Sequence, residues 1–200
     1  MAIVVEHDKR RHEILEKALD VFVDEGYEDV TFQKIADRCG ITRTTLYIYF
    51  KNKREIFLWS IKQLTGSIEE KLKAILSDQA LSCQDALRKI LMQIVDECEN
   101  NSRLFTILLS YLLNLQKTGG DPAERVRRRM LRLRQLIDTV IIRGIKNGEF
   151  RKLNVHTAYE MFYGLIQSAI FRLSVLSEKS IASIRDPLNL AVDGILAKNI

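Results

Sequence analysis

Residues 31–53 read TFQKIADRCGITRTTLYIYFKNK, and their side chains suit contact with a nucleic acid. Arg43 is a natural bidentate partner for a guanine edge, and the methyl of Thr44 can meet a thymine methyl in a major groove. Thr45, Tyr47, Tyr49 and Lys53 offer hydroxyls and a cation of the kind that fix a protein's register on phosphates. Gln33 can reach a base or a phosphate. Thr31 can present its hydroxyl, or helix N-terminal amides, to another phosphate.

These residues need two short helices at an angle. The segment FQKIADRC places Ile35 and Cys39 on one side, with Ala36 small enough for a second helix to pack closely over it. Thr31 is a suitable N-cap for it and Thr42 for the next segment, TRTTLYIYF. Gly40 falls where the chain must turn sharply, a site that favours positive φ. Ile41 then plugs the core, and Leu46 and Phe50, four apart, face inward. A helix-turn-helix over about 31–50 follows, its second helix suited to the major groove.

The charge distribution supports this locally and not globally. Residues 1–54 hold ten Lys/Arg and ten Asp/Glu, so the chain's net charge of +5 arises elsewhere. Between Arg38 and Arg54, however, there are five basic residues and no acidic one, which gives the phosphate-facing edge a positive field.

The remaining residues read as helices. Only Pro122 and Pro187 are prolines, and strand-like alternation is absent. A first helix is expected from about Asp8 to Glu25, closed by Gly26. A long one starts at Lys53 with a face of Ile56, Trp59 or Ser60, Gln63-Leu64, Ile68, Leu72 and Ile75. Others are expected over 84–99, over 103–115 as a buried central helix, and over 122–146. The last two are expected over 154–176 and 181–198. The boundary at Lys53 carries no Gly/Ser/Pro run, so residues 1–52 are expected to form the DNA-binding domain and 53–200 the second domain, joined through a helix. Cys39, Cys83 and Cys98 are an odd set without paired spacing and read as small buried residues in a reducing cytoplasm. They form no ligand cluster with His7, His12 and His156, so no metal or cofactor site is expected. No nucleophile–base arrangement or phosphate-binding glycine loop points to an enzyme. The longest uncharged stretch, 104–116, falls short of the ~20 residues of a membrane span.

The N-terminal pattern resembles the TetR family of transcriptional regulators. Its residues are Ile14-Leu15, Ala18, Phe22, Gly26-Tyr27, Thr31, Ile35-Ala36, Gly40-Ile41, Leu46-Tyr47, Tyr49-Phe50 and Lys53, with Gly148-Glu149-Phe150 further along. Thr44 departs from the pattern, standing where many members carry glycine or another small residue. The resemblance implies an all-α fold of about nine helices: a three-helix helix-turn-helix domain, then a helical domain for effector binding and dimerisation. It implies a homodimeric repressor that leaves a palindromic DNA operator when an unknown small-molecule effector binds. Candidates to line the effector cavity are Trp59, Phe105, Tyr111, Gln116, Phe162 and Gln167. Candidates for the dimer interface are Met161, Gly164, Leu165, Ser168, Ala169 and Leu173 on one helix and Leu188, Val192 and Ile195 on the next, as a four-helix bundle. The run Arg125, Arg127, Arg128, Arg129, Arg132 and Arg134 reads as a solvated, ion-paired face, or as a site for an anionic effector or acidic partner. The alternative for the whole chain is a DNA-binding protein of the same fold without a small-molecule effector. It would act in chromosome organisation or through a protein partner.

Overall fold

The computed structural model describes residues 2–197, with the side chains of 2–5 and 122–130 outside the description. The arginines at 125, 127, 128 and 129 therefore lie outside the described side chains. Nine α-helices make up the described chain: α1 (Ala2–Glu25), α2 (Phe32–Cys39), α3 (Arg43–Tyr49), α4 (Lys53–Ser77), α5 (Cys83–Asn100), α6 (Ser102–Lys117), α7 (Pro122–Lys146), α8 (Val155–Ser174) and α9 (Arg185–Asp193). A 3₁₀ turn at Ala182–Ile184 precedes α9. The chain forms two compact units, Met1–Ser67 and Ile68–Ile200, so the division falls inside α4 and not at its start.

In the N-terminal unit, Ile14, Leu15, Ala18, Val21 and Phe22 of α1 are buried together with Ile35, Ala36 and Cys39 of α2, and Leu46 of α3. From α4 the buried residues are Ile56, Phe57, Ser60 and Ile61, with Trp59 only half-buried. Of the alternatives Trp59 and Ser60, the buried one is Ser60, and Phe57 is buried as well, meeting Phe22 edge-on at 4.9 Å between ring centroids. Ser60 is tolerated inside because its hydroxyl donates to the Leu15 carbonyl at 2.8 Å.

The second unit packs α5 (Leu87, Ile90, Leu91), α7 (Ile137, Val140, Ile141), α8 (Phe162, Ile166, Ala169) and α9 (Leu188, Val192) around one apolar core. Side-chain caps start two of these helices. The Ser82 hydroxyl accepts from the Asp85 amide at 3.0 Å, and Asn154 Oδ1 accepts from the Thr157 amide at 3.0 Å. Polar residues hold α9 against α5. Arg88 donates to Asn189 Oδ1 at 2.9 Å and pairs with Asp193. Arg185 reaches Asp96 at 2.6 Å and Glu99 at 3.1 Å.

Two expectations change. The final helix is shorter than 181–198: Pro187, which has no N–H to donate, sits in the first turn of α9. After Asp193 the chain leaves the helix to bridge the turn after α7, with Arg151 N donating to Ile195 O and Ala197 N to Glu149 O. Helix α6 is not buried all round. Leu104, Ile107 and Tyr111 are buried while Leu113 is half exposed.

Candidate nucleic-acid interface

Local hydrogen bonds set the angle between α2 and α3. The Thr31 hydroxyl accepts from the Lys34 amide at 3.2 Å, closing the N-terminus of α2. Gly40 adopts φ 67°, ψ 35°, which lets its amide reach Asp37 O at 3.1 Å and the Ile41 amide reach Ala36 O at 3.0 Å. The chain is then free to restart as α3, where Thr42 accepts from the Thr45 amide at 3.1 Å. Leu46 and Phe50 pin the inner side of α3 in the core. Asn52 starts α4 by accepting from the Glu55 amide at 2.9 Å, while the Glu55 carboxylate accepts from the Lys51 amide at 2.7 Å, a reciprocal capping arrangement.

Around this frame, the polar residues fall into two flanks. On one side Arg43 donates to the Tyr47 hydroxyl at 3.1 Å, and the Tyr47 ring stacks on Phe32 at 4.6 Å. On the other the Thr42 and Thr45 hydroxyls share a 2.8 Å hydrogen bond, and Tyr49 stacks on His7 at 4.6 Å. Thr44 is exposed between the flanks. Gln33 is exposed on α2, where its amide donates to Asp37 at 2.7 Å. Neither His7 nor Ile48 was assigned an interface role from the sequence. The contact of His7 is with a residue far along the chain, but the four-residue spacing of Thr44 and Ile48 was a readable signal.

Lys53, expected to contact phosphate, is engaged within the chain. Its ammonium donates to the carbonyls of Tyr27, Glu28 and Val30 at 3.0, 2.8 and 3.1 Å. Those are all the donors an ammonium has, and they tie the start of α4 to the α1–α2 loop. Nearby cations are also engaged: Lys34 pairs with Glu25, and Arg38 lies 3.3 Å from Asp24. Arg11 lies 5.0 Å from the Phe50 ring centroid and 4.2 Å from that of Trp59.

A helix-turn-helix whose second helix carries Arg, hydroxyl and tyrosine side chains on an accessible surface is built to enter a major groove. Residues 14–58 match the family profile described as "Bacterial regulatory proteins, tetR family". Those residues carry the DNA-binding domain pattern of that family. Among the chain's relatives is the "Fatty acid metabolism regulator protein" of Bacillus subtilis (strain 168), 24% identical over 186 residues that span 92% of this chain and 94% of that one. The fold is also that of a TetR transcription regulator from Haloarcula marismortui ATCC 43049. That match has a TM-score of 0.83 and 19% identity, over 94% of this chain and 99% of the other. The transcriptional regulator FadR from Bacillus subtilis, solved in complex with stearoyl-CoA, matches with a TM-score of 0.72 and 22% identity, over 92% and 98% of the two chains. The matched domain and the relatives that span most of the chain are those of DNA-binding transcriptional regulators.

The effector candidates do not all share one location. Trp59 lies in the N-terminal unit, its ring covered by Arg11 and, at 4.1 Å, by Lys62. Phe162 and Tyr111 are buried in the second unit and Phe105 packs against its core. Gln116 and Gln167 are exposed, which removes them from a closed core. A cluster on α7 and α8 went unnoticed in the sequence. Tyr159 and Tyr163 stack at 5.4 Å, Arg134 lies 5.5 Å from the Tyr159 ring centroid, and Arg134 also bonds Asp138 at 3.2 Å. Burial pushes the Tyr159 hydroxyl up to about 12, so it is a neutral hydrogen-bonding group at neutral pH.

The dimer candidates divide the same way. Ala169, Leu173, Leu188, Val192 and Ile195 are core residues of their own unit and cannot face a partner. Met161, Gly164 and Ser168 are exposed, and Leu165 is half-buried. The sequence showed the apolar stripes but not which one the subunit consumes.

Proposed function

We propose that the chain is a homodimeric repressor that acts in the cytoplasm and releases a palindromic operator when a long-chain acyl-CoA binds its second unit. The observation that carries the effector class is the full-length likeness to a fatty acid metabolism regulator, together with the shared fold of a stearoyl-CoA complex. An acyl-CoA needs an apolar enclosure for its chain and cations for its phosphates. The second unit offers an apolar helical core, and α7 is rich in arginine.

In this reading α3 enters one half of the operator in each subunit. Arg43 and Thr44 meet base edges, while Thr31, Thr42, Thr45, Tyr47 and Tyr49 contact phosphates and Gln33 reaches a base or phosphate. The dimer forms through the exposed ridge of α8. Met161, Gly164, Ser168 and Phe171 recur at intervals of three, four and three, with Val175 next at four. Phe171 is 53% exposed and Leu190 on α9 is 72% exposed, and a partner's copy of the same ridge would cover them. Effector binding acts by favouring a conformation in which the two heads no longer match half-sites one helical turn, about 34 Å, or a multiple of it apart. Its effect is bounded by its differential affinity for the two states.

Stearoyl-CoA added to the protein–operator complex tests the effector. Release at micromolar concentrations, with no release by free coenzyme A, is the expected result. Retention of DNA with every chain length tried would refute this effector class. Mapping bound sites across the chromosome separates the regulator from the chromosome-organising alternative: a few operators beside genes support the former, and many dispersed sites the latter.

A further inference from the structure

On a helix turning about 100° per residue, the residues opposite buried Leu46 are Thr44 and Ile48, at about 160° and 200° around the axis. Both are exposed, Ile48 at 69%. Arg43 and Tyr47 lie to one side, joined to each other and stacked back on Phe32. Thr45 and Tyr49 lie to the other, held by Thr42 and His7. The hydroxyls are thus drawn to the flanks, where phosphates run, and Arg43 extends from one flank toward a base edge. The crest that would go deepest into a groove carries methyl groups.

We infer that Thr44 and Ile48 form a methyl-reading ridge whose ligand is a pair of thymine 5-methyl groups in each half-site, making Ile48 a specificity-determining residue. This rests on the DNA-reading function proposed above. A single exposed aliphatic residue on a surface is ordinary. At the crest of a groove-entering helix, however, it must displace water from a base edge, and it cannot hydrogen-bond to one. The thymine methyl is the only apolar group that a base pair presents in the major groove. An isoleucine there is matched by thymine and opposes the polar edges of a G·C pair, whose donors and acceptors it would leave unpaired. Residues four apart are separated by about 6 Å along the helix. That is close to two base-pair steps of 3.4 Å, so the two methyls read are expected one or two steps apart, on the same or opposite strands.

The test starts from duplexes that the protein selects out of a randomised pool. In the best of these, each thymine is replaced in turn by deoxyuridine, which keeps base pairing and removes only the methyl. For the unaltered protein, binding weakens about fourfold at one or two positions in each half-site, the worth of one buried methyl. Ile48→Ala binds the thymine duplex about tenfold more weakly and no longer responds to deoxyuridine at its position. Thr44→Ser, which keeps the hydroxyl and loses the methyl, removes the response at the neighbouring one. Because both residues are exposed, the helical circular dichroism and Trp59 emission of the variants match those of the parent. The inference is overturned if no single deoxyuridine changes the dissociation constant more than twofold. It is also overturned if the deoxyuridine penalties persist undiminished in Ile48→Ala and Thr44→Ser. Failure to enrich any duplex overturns the DNA-reading function itself, and the inference with it.

Discussion

Gly40→Ala isolates the backbone contribution to the reading head. Gly40 holds φ 67° between α2 and α3, and a Cβ built on it meets no atom within 4 Å. Contacts with residues beyond its two chain neighbours therefore contribute nothing, and the substitution reports the left-handed conformation alone. For an L-residue that conformation costs about 1–2 kcal/mol, while asparagine, which visits it more readily, should lose less. Trp59 is the chain's only tryptophan and lies in the same compact unit, so its emission follows urea unfolding of that unit. With a slope of about 1–2 kcal/mol per M, the Gly40→Ala midpoint should fall by roughly 0.5–2 M at unchanged slope. Gly40→Asn should fall between Ala and the parent. Operator affinity supplies a second readout. If alanine escapes the strain by moving to negative φ, the amides of Gly40 and Ile41 lose Asp37 and Ala36 as acceptors, and α3 changes direction. Binding then falls further than the stability change alone explains. An alanine variant as stable as the parent, or an asparagine variant as damaged as alanine, would refute the reasoning.

Lys53→Met keeps an aliphatic stem but removes donors to three carbonyls, which should destabilise the N-terminal unit by about 1–2 kcal/mol. The salt dependence of DNA binding should stay the same, whereas a slope smaller by about 1 would make Lys53 a phosphate contact. The Glu99 carboxylate is held below its ordinary value by the Ser180 hydroxyl first, and also by the Ile181 amide and Arg185. A depressed carboxylate contributes stability above its ordinary value of 4.5, and loses it as pH falls through the folded value. Acid titration of stability should therefore flatten below about pH 4.5 in Glu99→Gln, and an unchanged profile would remove Glu99 from the linkage. Phe171→Glu should convert the dimer to monomer in sedimentation, leaving the helical content intact, since the side chain it replaces is exposed. Persistence of the dimer would move the interface away from the α8 ridge.

What could be read from the sequence follows the range of each interaction. Thr31, Gly40 and Thr42 act on atoms within four residues, so capping and turn chemistry alone located α2, the turn and α3. The charge-free and acid-free stretches were also local properties. The bonds of Lys53 were not legible because its acceptors lie 23–26 residues earlier, where no periodicity links them. Trp59 looked like a cavity residue by type, but Phe57 and Ser60 took the inward positions and left its ring between Arg11 and Lys62. The shortening of α9 depended on hydrogen bonds to residues 149–151, and the burial of Leu188 and Val192 on a core assembled from four helices. Amphipathic stripes announce that a face is covered; they do not say by which subunit.

The central claim is that α3 of each of two subunits reads one half of a palindrome. Selection from a randomised duplex pool, followed by sequencing and by measurement of the protein-to-duplex ratio, tests it most directly. The account predicts an inverted repeat whose half-site centres lie about one helical turn, or a multiple of it, apart. It also predicts two subunits per duplex and loss of base preference in Arg43→Ala. An unenriched pool, or a single asymmetric site bound by one subunit, would contradict it.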